Sequence, residues 1–152
     1  MIETSRSLPP VVENDILSEG EHLQKARLNI SFLKEITKTS HNDWTVIVCF
    51  YIQMHYACAF LKRMGYQIPA NHDGRQRLMN EIAAGTRKGC TQVKAILAIY
   101  TAARTWSEMA RYKYPIDIGN HKAFKGTRML FTMIDNTLNE VPKQLNYSPE
   151  SF

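Results

Sequence analysis

The stretch WTVIVCFYIQMHYACAFL, residues 44–61, decides the fold of this chain. Its 18 residues include no lysine, arginine, aspartate or glutamate, so a helix through it is apolar on almost every face. Such a helix needs apolar neighbours on all sides, which are either lipid or protein. Gln53 and His55 lie within it and amphipathic segments flank it, and both features favour burial in a protein core. We therefore predict a central helix over residues 43–64 and no membrane span.

The segment before the central helix carries a clear signal for a helix start. Ser18 and Glu21 have the spacing of a capping box, in which each residue bonds the backbone N–H of the other. This predicts a helix from Ser18 to about residue 38. Its inward apolar stripe consists of Leu23, Ala26, Ile30 and Leu33.

The segment after the central helix predicts further helices. Pro69 cannot lie inside a helix, and Asp73 is expected to cap a short helix over about 75–84. Longer amphipathic helices are predicted over about 91–112 and 121–141.

Together these segments predict an all-α fold, an up-and-down four-helix bundle with one additional short helix. Residues 1–17 are expected to form an extended N-terminal arm, residues 18–141 the helical bundle domain and residues 142–152 a C-terminal tail. A chain of 152 residues buries enough surface to fold as one domain without disulfides or metals.

The cysteines and the N-terminus indicate the compartment. Three cysteines with irregular spacing are not a disulfide framework. The first residues lack the basic and then apolar order of a secretory signal. We therefore expect a cytoplasmic location.

The basic charge is concentrated in one segment. The chain has a net charge of +5, and residues 62–94 hold seven basic and two acidic residues, which accounts for the whole excess. Such a concentration can attract phosphate groups. The predicted anion-binding or nucleic-acid-binding residues are His72, Arg75, Arg77, Arg87 and Lys88. The alternative is an ordinary solvated surface with helix capping.

Three stretches together carry a family resemblance. They are FYIQMHYACAFLKRMG at 50–65, IPANHD at 68–73, and Tyr100 followed by Arg111-Tyr112 and Pro115. In this order they resemble the HEPN superfamily of small helical bundles over roughly residues 20–140. The resemblance implies a prokaryotic protein that forms a homodimer, often in a toxin–antitoxin or phage-defence context.

The resemblance also implies a possible ribonuclease site, from which this chain departs. Many members place an arginine four to six residues before a histidine near the start of the last helix. Here the nearest pair is Arg111 and His121, with nine residues between them. In such a site histidine transfers the proton and arginine holds the phosphate.

These observations lead to one main functional prediction and two alternatives. The main prediction is a dimeric interaction module or RNA-associated module with RNA or a protein as its partner. The first alternative is a diverged, metal-independent endoribonuclease that uses Arg111 and His121. The second is a small-ligand or metal-binding bundle around His55.

The central helix contributes two polar residues to the predicted core, Tyr51 and His55.

No cofactor and no metal are predicted. Glu19 and His22 have a di-iron spacing, but the matching inward carboxylates on the other helices are missing. Three histidines on separate helices can in principle meet at one metal, although their spacing does not require it. They are His22, His55 and His121.

Trp106 falls off the main inward stripe and is the predicted dimer contact.

Overall fold

The computed structural model describes residues 13–36 and 42–112, and helices that pack against one another make up most of these ranges. The helices are α1 (Glu19–Ile36), α2 (Asn42–Arg63), α3 (His72–Ala84) and α4 (Cys90–Tyr112). The predicted all-α bundle is confirmed, with three long helices and one short helix in the described part. The helix predicted over 121–141 and the tail lie outside the described residues.

The predicted capping box begins α1. The Ser18 hydroxyl accepts the backbone N–H of Glu21 at 3.1 Å, and the Glu21 carboxylate accepts the backbone N–H of Ser18 at 2.8 Å. Two N–H groups that the first turn cannot satisfy are thereby paired. The buried face of α1 comprises the predicted stripe, and His22 extends it toward the N-terminus.

Helix α2 is the core of the described bundle, as predicted. Asp43–Arg63 is long and apolar enough to cross a membrane by length and composition, yet 89% of its most apolar 18-residue window is buried inside the structure. Core helices of soluble proteins pass the same test. Largest among its fully buried side chains are Tyr56, Phe50 and Phe60. Dense packing of this kind stabilises the fold by about 1.5–3 kcal/mol for each large apolar side chain.

The start of α3 differs from the prediction. Asp73 was expected to cap a helix from about residue 75, but the cap is Asn71, whose side-chain oxygen accepts the backbone N–H of Gly74 at 2.6 Å. Asp73 lies in the first turn, where its negative charge is favourable. Arg75 lies on the buried face of α3, one turn before the buried Met79.

Contacts between helix ends show that neighbouring helices are antiparallel. Arg63 at the end of α2 pairs with Glu19 at the beginning of α1, with 2.7 Å between nitrogen and oxygen. Arg111 at the end of α4 donates to Tyr51 in the first half of α2. Helices α3 and α4 likewise run in opposite directions, since Asp73 and the late α4 residue Arg104 form an ion pair.

Residues before α1 pair with the loop between α2 and α3. The Asp15 N–H donates to the carbonyl of Ile68 at 2.7 Å, and the Ala70 N–H donates to the carbonyl of Glu13 at 2.9 Å. A single antiparallel bridge, Asn14 to Pro69, lies between these bonds. The pairing places the Asp15 side chain beside His22 of α1.

Removal of the α1 cap gives the first testable prediction. Ser18→Ala leaves the Glu21 N–H without its acceptor, so we expect the free energy of unfolding to fall by about 1 kcal/mol. Urea unfolding measures this change. Ser31→Ala is the matched control, because the exposed Ser31 hydroxyl bonds back to the Arg27 carbonyl within the same helix and caps no helix end. An equal loss in both variants contradicts the capping role.

Candidate functional site

A buried polar cluster lies between the arm, α1 and α2. The Nε2 atom of His22 is 3.0 Å from Oδ2 of Asp15, and its Nδ1 atom is 3.0 Å from Nδ1 of His55. Both histidines are buried, at 1% and 8% exposure. His55, a predicted polar residue of the core, thus lies buried against His22. The two facing Nδ1 atoms require one donor and one acceptor, so the two rings have opposite protonation at Nδ1.

Burial decides the protonation of this cluster. Desolvation, together with the smaller effect of the neighbouring His22, lowers the pKa of His55 to about 4. Desolvation also lowers the pKa of His22, against the opposing pull of Asp15. On α2, burial raises the pKa of Cys58 to about 12. Both histidines are therefore neutral near pH 7, and Cys58 carries its thiol proton.

Arg75 brings a buried positive charge to the edge of this cluster. It is 9% exposed, and its Nη2 atom donates to the carbonyl of Ala70 at 2.5 Å. The same atom lies 4.0 Å from Oδ2 of Asp15. Opposite charges at this distance compensate each other, whereas an unpaired buried charge costs several kcal/mol. Arg75 was predicted as an anion-binding residue, but its burial leaves it little surface for an external anion.

His72 lies next to the other terminal nitrogen of Arg75, Nη1, at the edge of the interface between α2, α3 and α4. Its Nδ1 atom is 3.2 Å from Nη1 of Arg75. Because a guanidinium can only donate, Nδ1 must be the acceptor, and the neutral ring carries its hydrogen on Nε2. Burial, and then the charges of Arg75, Arg104 and Arg111, lowers the pKa of His72. Its ring centroid is 5.3 Å from that of Phe50.

Arg111 reaches the same place from the end of α4. Its guanidinium donates to the Tyr51 hydroxyl at 3.2 Å and to the Ser107 hydroxyl at 3.0 Å, and Nε donates to the Ser107 carbonyl at 3.3 Å. The Tyr51 ring is in turn 6.4 Å from the ring of His72. Beside it, Tyr112 is 80% exposed. We refer to Tyr51, His72, Arg111 and Tyr112 as the Arg111 face.

Arg104 borders the Arg111 face but is neutralised by carboxylates. It donates to Asp73 at 2.6 Å and to Glu108 at 3.0 Å. A third bond joins it to the side chain of Gln76. The charge that this region presents to an external anion therefore comes mainly from Arg111.

The other predicted anion-binding residues lie elsewhere. Arg77 is exposed on α3, and Arg87 and Lys88 are exposed in the turn between α3 and α4. The two ends of α3 are about 18 Å apart, so this turn is not part of the Arg111 face. The ring of Tyr66 lies beneath the guanidinium of Arg87 at 5.1 Å. His121, the predicted partner of Arg111, lies outside the described residues.

A shallow groove between α3 and α4 contains the predicted dimer contact. Trp106 is partly buried and lines it, and the cavity volume is about 570 Å³. Other lining residues include Gln76, Leu97 and Thr101.

Sequence analysis considered His22 as a metal ligand with other partners, but it did not group Asp15, His22 and Cys58 as one site. Asp15, His22 and Cys58 each place one potential ligand atom within 4.8 Å of the other two. A signal existed for His22, because it is one turn before Ala26 on the apolar stripe of α1. Cys58 reads as an ordinary buried thiol, and Asp15 lies in a segment without periodicity, so neither carried a signal.

Comparisons with known proteins found no relative of this chain: no family model, curated protein or solved structure matches it. The resemblance to the HEPN superfamily therefore stays a prediction.

The lowered pKa of His72 gives a prediction for the pH dependence of stability. Its pKa in the folded chain is below the ordinary value of 6.5, so the unfolded chain binds a proton first as the pH falls. The stability that neutral His72 supports is complete above pH 6.5 and is lost as the pH falls through the folded pKa.

His72→Asn keeps an oxygen that can accept from Arg75 but removes the titration. We expect the variant to lose less free energy of unfolding than the parent between about pH 7.5 and about pH 5. Urea unfolding at several pH values measures this difference. Identical losses in the two proteins contradict the assignment.

Proposed function

We propose that the chain is an RNA-associated module that binds single-stranded RNA at the Arg111 face. One observation carries the proposal: within the described residues, Arg111 with its unused N–H groups and the neutral His72 both contact Tyr51. The exposed ring of Tyr112 lies beside them. Cationic and aromatic groups side by side are what single-stranded nucleic acid needs, since it presents phosphates and unstacked bases.

Arg111 supplies the phosphate contact in this proposal. Within the described residues, three of its five N–H groups are used in the bonds to Tyr51 and Ser107, and each terminal nitrogen retains one. Two parallel N–H groups match the oxygens of a phosphate. The existing bonds hold the guanidinium in place, so little side-chain freedom is lost on binding.

His72 adds a donor rather than a base. Arg75 occupies its Nδ1 atom, and Nε2 therefore carries the hydrogen. A neutral imidazole in this state donates to a phosphate oxygen but cannot remove a proton through Nε2. The geometry of His72 thus favours binding over proton abstraction.

Tyr112 supplies a stacking surface for a base. Its ring is largely exposed and lies beside the Arg111 guanidinium, 5.8 Å from the ring centroid to Cζ. Stacking of a base on an aromatic side chain contributes about 1–3 kcal/mol and tolerates any sequence. We therefore expect binding with little sequence preference.

The homodimer, with Trp106 in its interface, and the toxin–antitoxin or defence context stay predictions.

Substitution of Arg111 tests the proposal. We expect Arg111→Ala to weaken binding to a single-stranded RNA about tenfold or more, because a charged hydrogen bond is lost. It also reduces the slope of log affinity against log salt by about 0.7 for each phosphate contact removed. Tyr112→Ala weakens binding but leaves the salt slope unchanged. Fluorescence anisotropy over a salt series measures both quantities.

Lys88→Ala is the matched control, because it removes an exposed positive charge at the other end of α3. Loss of affinity in this variant but not in Arg111→Ala moves the RNA site to the α3–α4 turn. No binding at low salt contradicts the proposal altogether. Cleavage of the RNA that His121→Ala abolishes replaces it with the ribonuclease alternative.

A further inference from the structure

The strongest unassigned feature is the meeting of three different ligand types beneath the arm. A carboxylate oxygen of Asp15, a ring nitrogen of His22 and the Sγ atom of Cys58 all lie within 4.8 Å of one another. They come from the arm, α1 and α2, so only the folded chain brings them together. Both His22 and Cys58 are 1% exposed, and the Asp15 side chain is 6% exposed.

The His22 ring shows that this is more than an ordinary ion pair. Its Nε2 atom is buried and makes no well-aligned hydrogen bond to any described residue, although Oδ2 of Asp15 is only 3.0 Å away. The carboxylate oxygen therefore lies close to the nitrogen but off its N–H axis. Two ligands of one tetrahedral zinc ion, each about 2.0–2.1 Å from the metal, are separated by about 3.3 Å. The observed spacing is close to that separation.

The second ring nitrogen of His22 has the hydrogen-bond partner that metal-binding histidines need. Nδ1 of His22 is 3.0 Å from Nδ1 of His55. When His22 donates this hydrogen, its Nε2 atom has a lone pair that is free to bind a cation placed among Nε2, the Asp15 carboxylate and the Cys58 Sγ atom. Without a cation that tautomer brings a lone pair close to a carboxylate, which is unfavourable. With a cation the same tautomer is the one that a metal ligand adopts.

We propose that Asp15, His22 and Cys58 bind one zinc ion. A carboxylate, an imidazole and a thiolate are a donor set that suits Zn²⁺, and three protein ligands leave a fourth position for water or a small ligand. Cys58 coordinates as the thiolate, and its proton goes to solvent on binding. The two anionic ligands balance the charge of the ion, and Arg75 at the edge of the cluster keeps its hydrogen bond to the Ala70 carbonyl.

The site has a structural consequence. Asp15 belongs to a segment held by two backbone bonds to the α2–α3 loop and by the Lys62 ammonium, which donates to the Asp15 carbonyl at 2.9 Å. A zinc ion there joins Asp15 and the residues beside it to α1 and α2. It therefore stabilises the folded chain and not the unfolded one.

Cobalt substitution tests the site in the full chain, because a cobalt–thiolate bond has its own charge-transfer absorption in the near ultraviolet. The protein is treated with chelator, freed of it and titrated with Co²⁺. We expect this absorption to saturate at one equivalent and to disappear when Zn²⁺ is added. No charge-transfer absorption in the parent protein overturns the proposal, whatever the variants show.

Variants then identify the ligands. We expect Cys58→Ser to abolish the charge-transfer absorption, and Asp15→Asn and His22→Gln each to weaken Zn²⁺ binding about a hundredfold or more, beyond the loss typical of an outer partner. Cys49→Ser is the matched control, since Cys49 is also a buried cysteine of α2. Circular dichroism checks the fold of each variant. Absorption that survives in Cys58→Ser, or that is lost in Cys49→Ser or Cys90→Ser instead, contradicts the assignment.

Discussion

Burial of α2 on every side is the constraint on which the rest of the structure depends. Each of its large apolar side chains stabilises the fold by about 1.5–3 kcal/mol, which exceeds the roughly 1 kcal/mol of a helix cap. The same burial takes His55 and Cys58 out of water. Their polar atoms then need partners inside the protein, because an unpaired polar group in the interior is costly. For His55 this partner is His22 on α1, and His22 in turn lies against Asp15.

Arg75 connects this interior cluster with the Arg111 face. One terminal nitrogen of its guanidinium lies near the Asp15 carboxylate, and the other donates to His72. A lysine at this position has a single charged nitrogen and cannot reach both sides with a rigid fork. The protonation of His72 at the surface and the charge balance beneath the arm therefore depend on one buried side chain.

The two proposed sites use this arrangement in different ways. The Arg111 face offers spare donors and an exposed ring to a ligand that arrives from solvent. The cluster of Asp15, His22 and Cys58 is closed to a large ligand and has the size and donor set of a single ion. An ion there orders the arm against the α2–α3 loop, which also carries the cap of α3 and hence the position of His72.

Local sequence patterns determined the helices. The charge-free stretch, the capping box at Ser18 and Glu21 and the apolar stripe of α1 predicted α1 and α2 nearly to the residue, because these signals act within one or two turns. The start of α3 was missed because Asn71 and Asp73 are both good caps, and the bond from Gly74 favours Asn71. Arg75 lies on the same face as Met79 with either start, but its burial was not predicted, because arginine is ordinarily exposed.

The polar sites were decided by the tertiary structure alone. Arg111 and Tyr51 are separated by 60 positions and meet because α2 and α4 are antiparallel. Asp15 meets His22 and Cys58 because the arm pairs with a loop more than 50 residues away. Helical periodicity shows which face of a segment is buried, since it depends on residues three and four apart. It contains no information about which buried faces meet, because that choice belongs to packing across the whole chain.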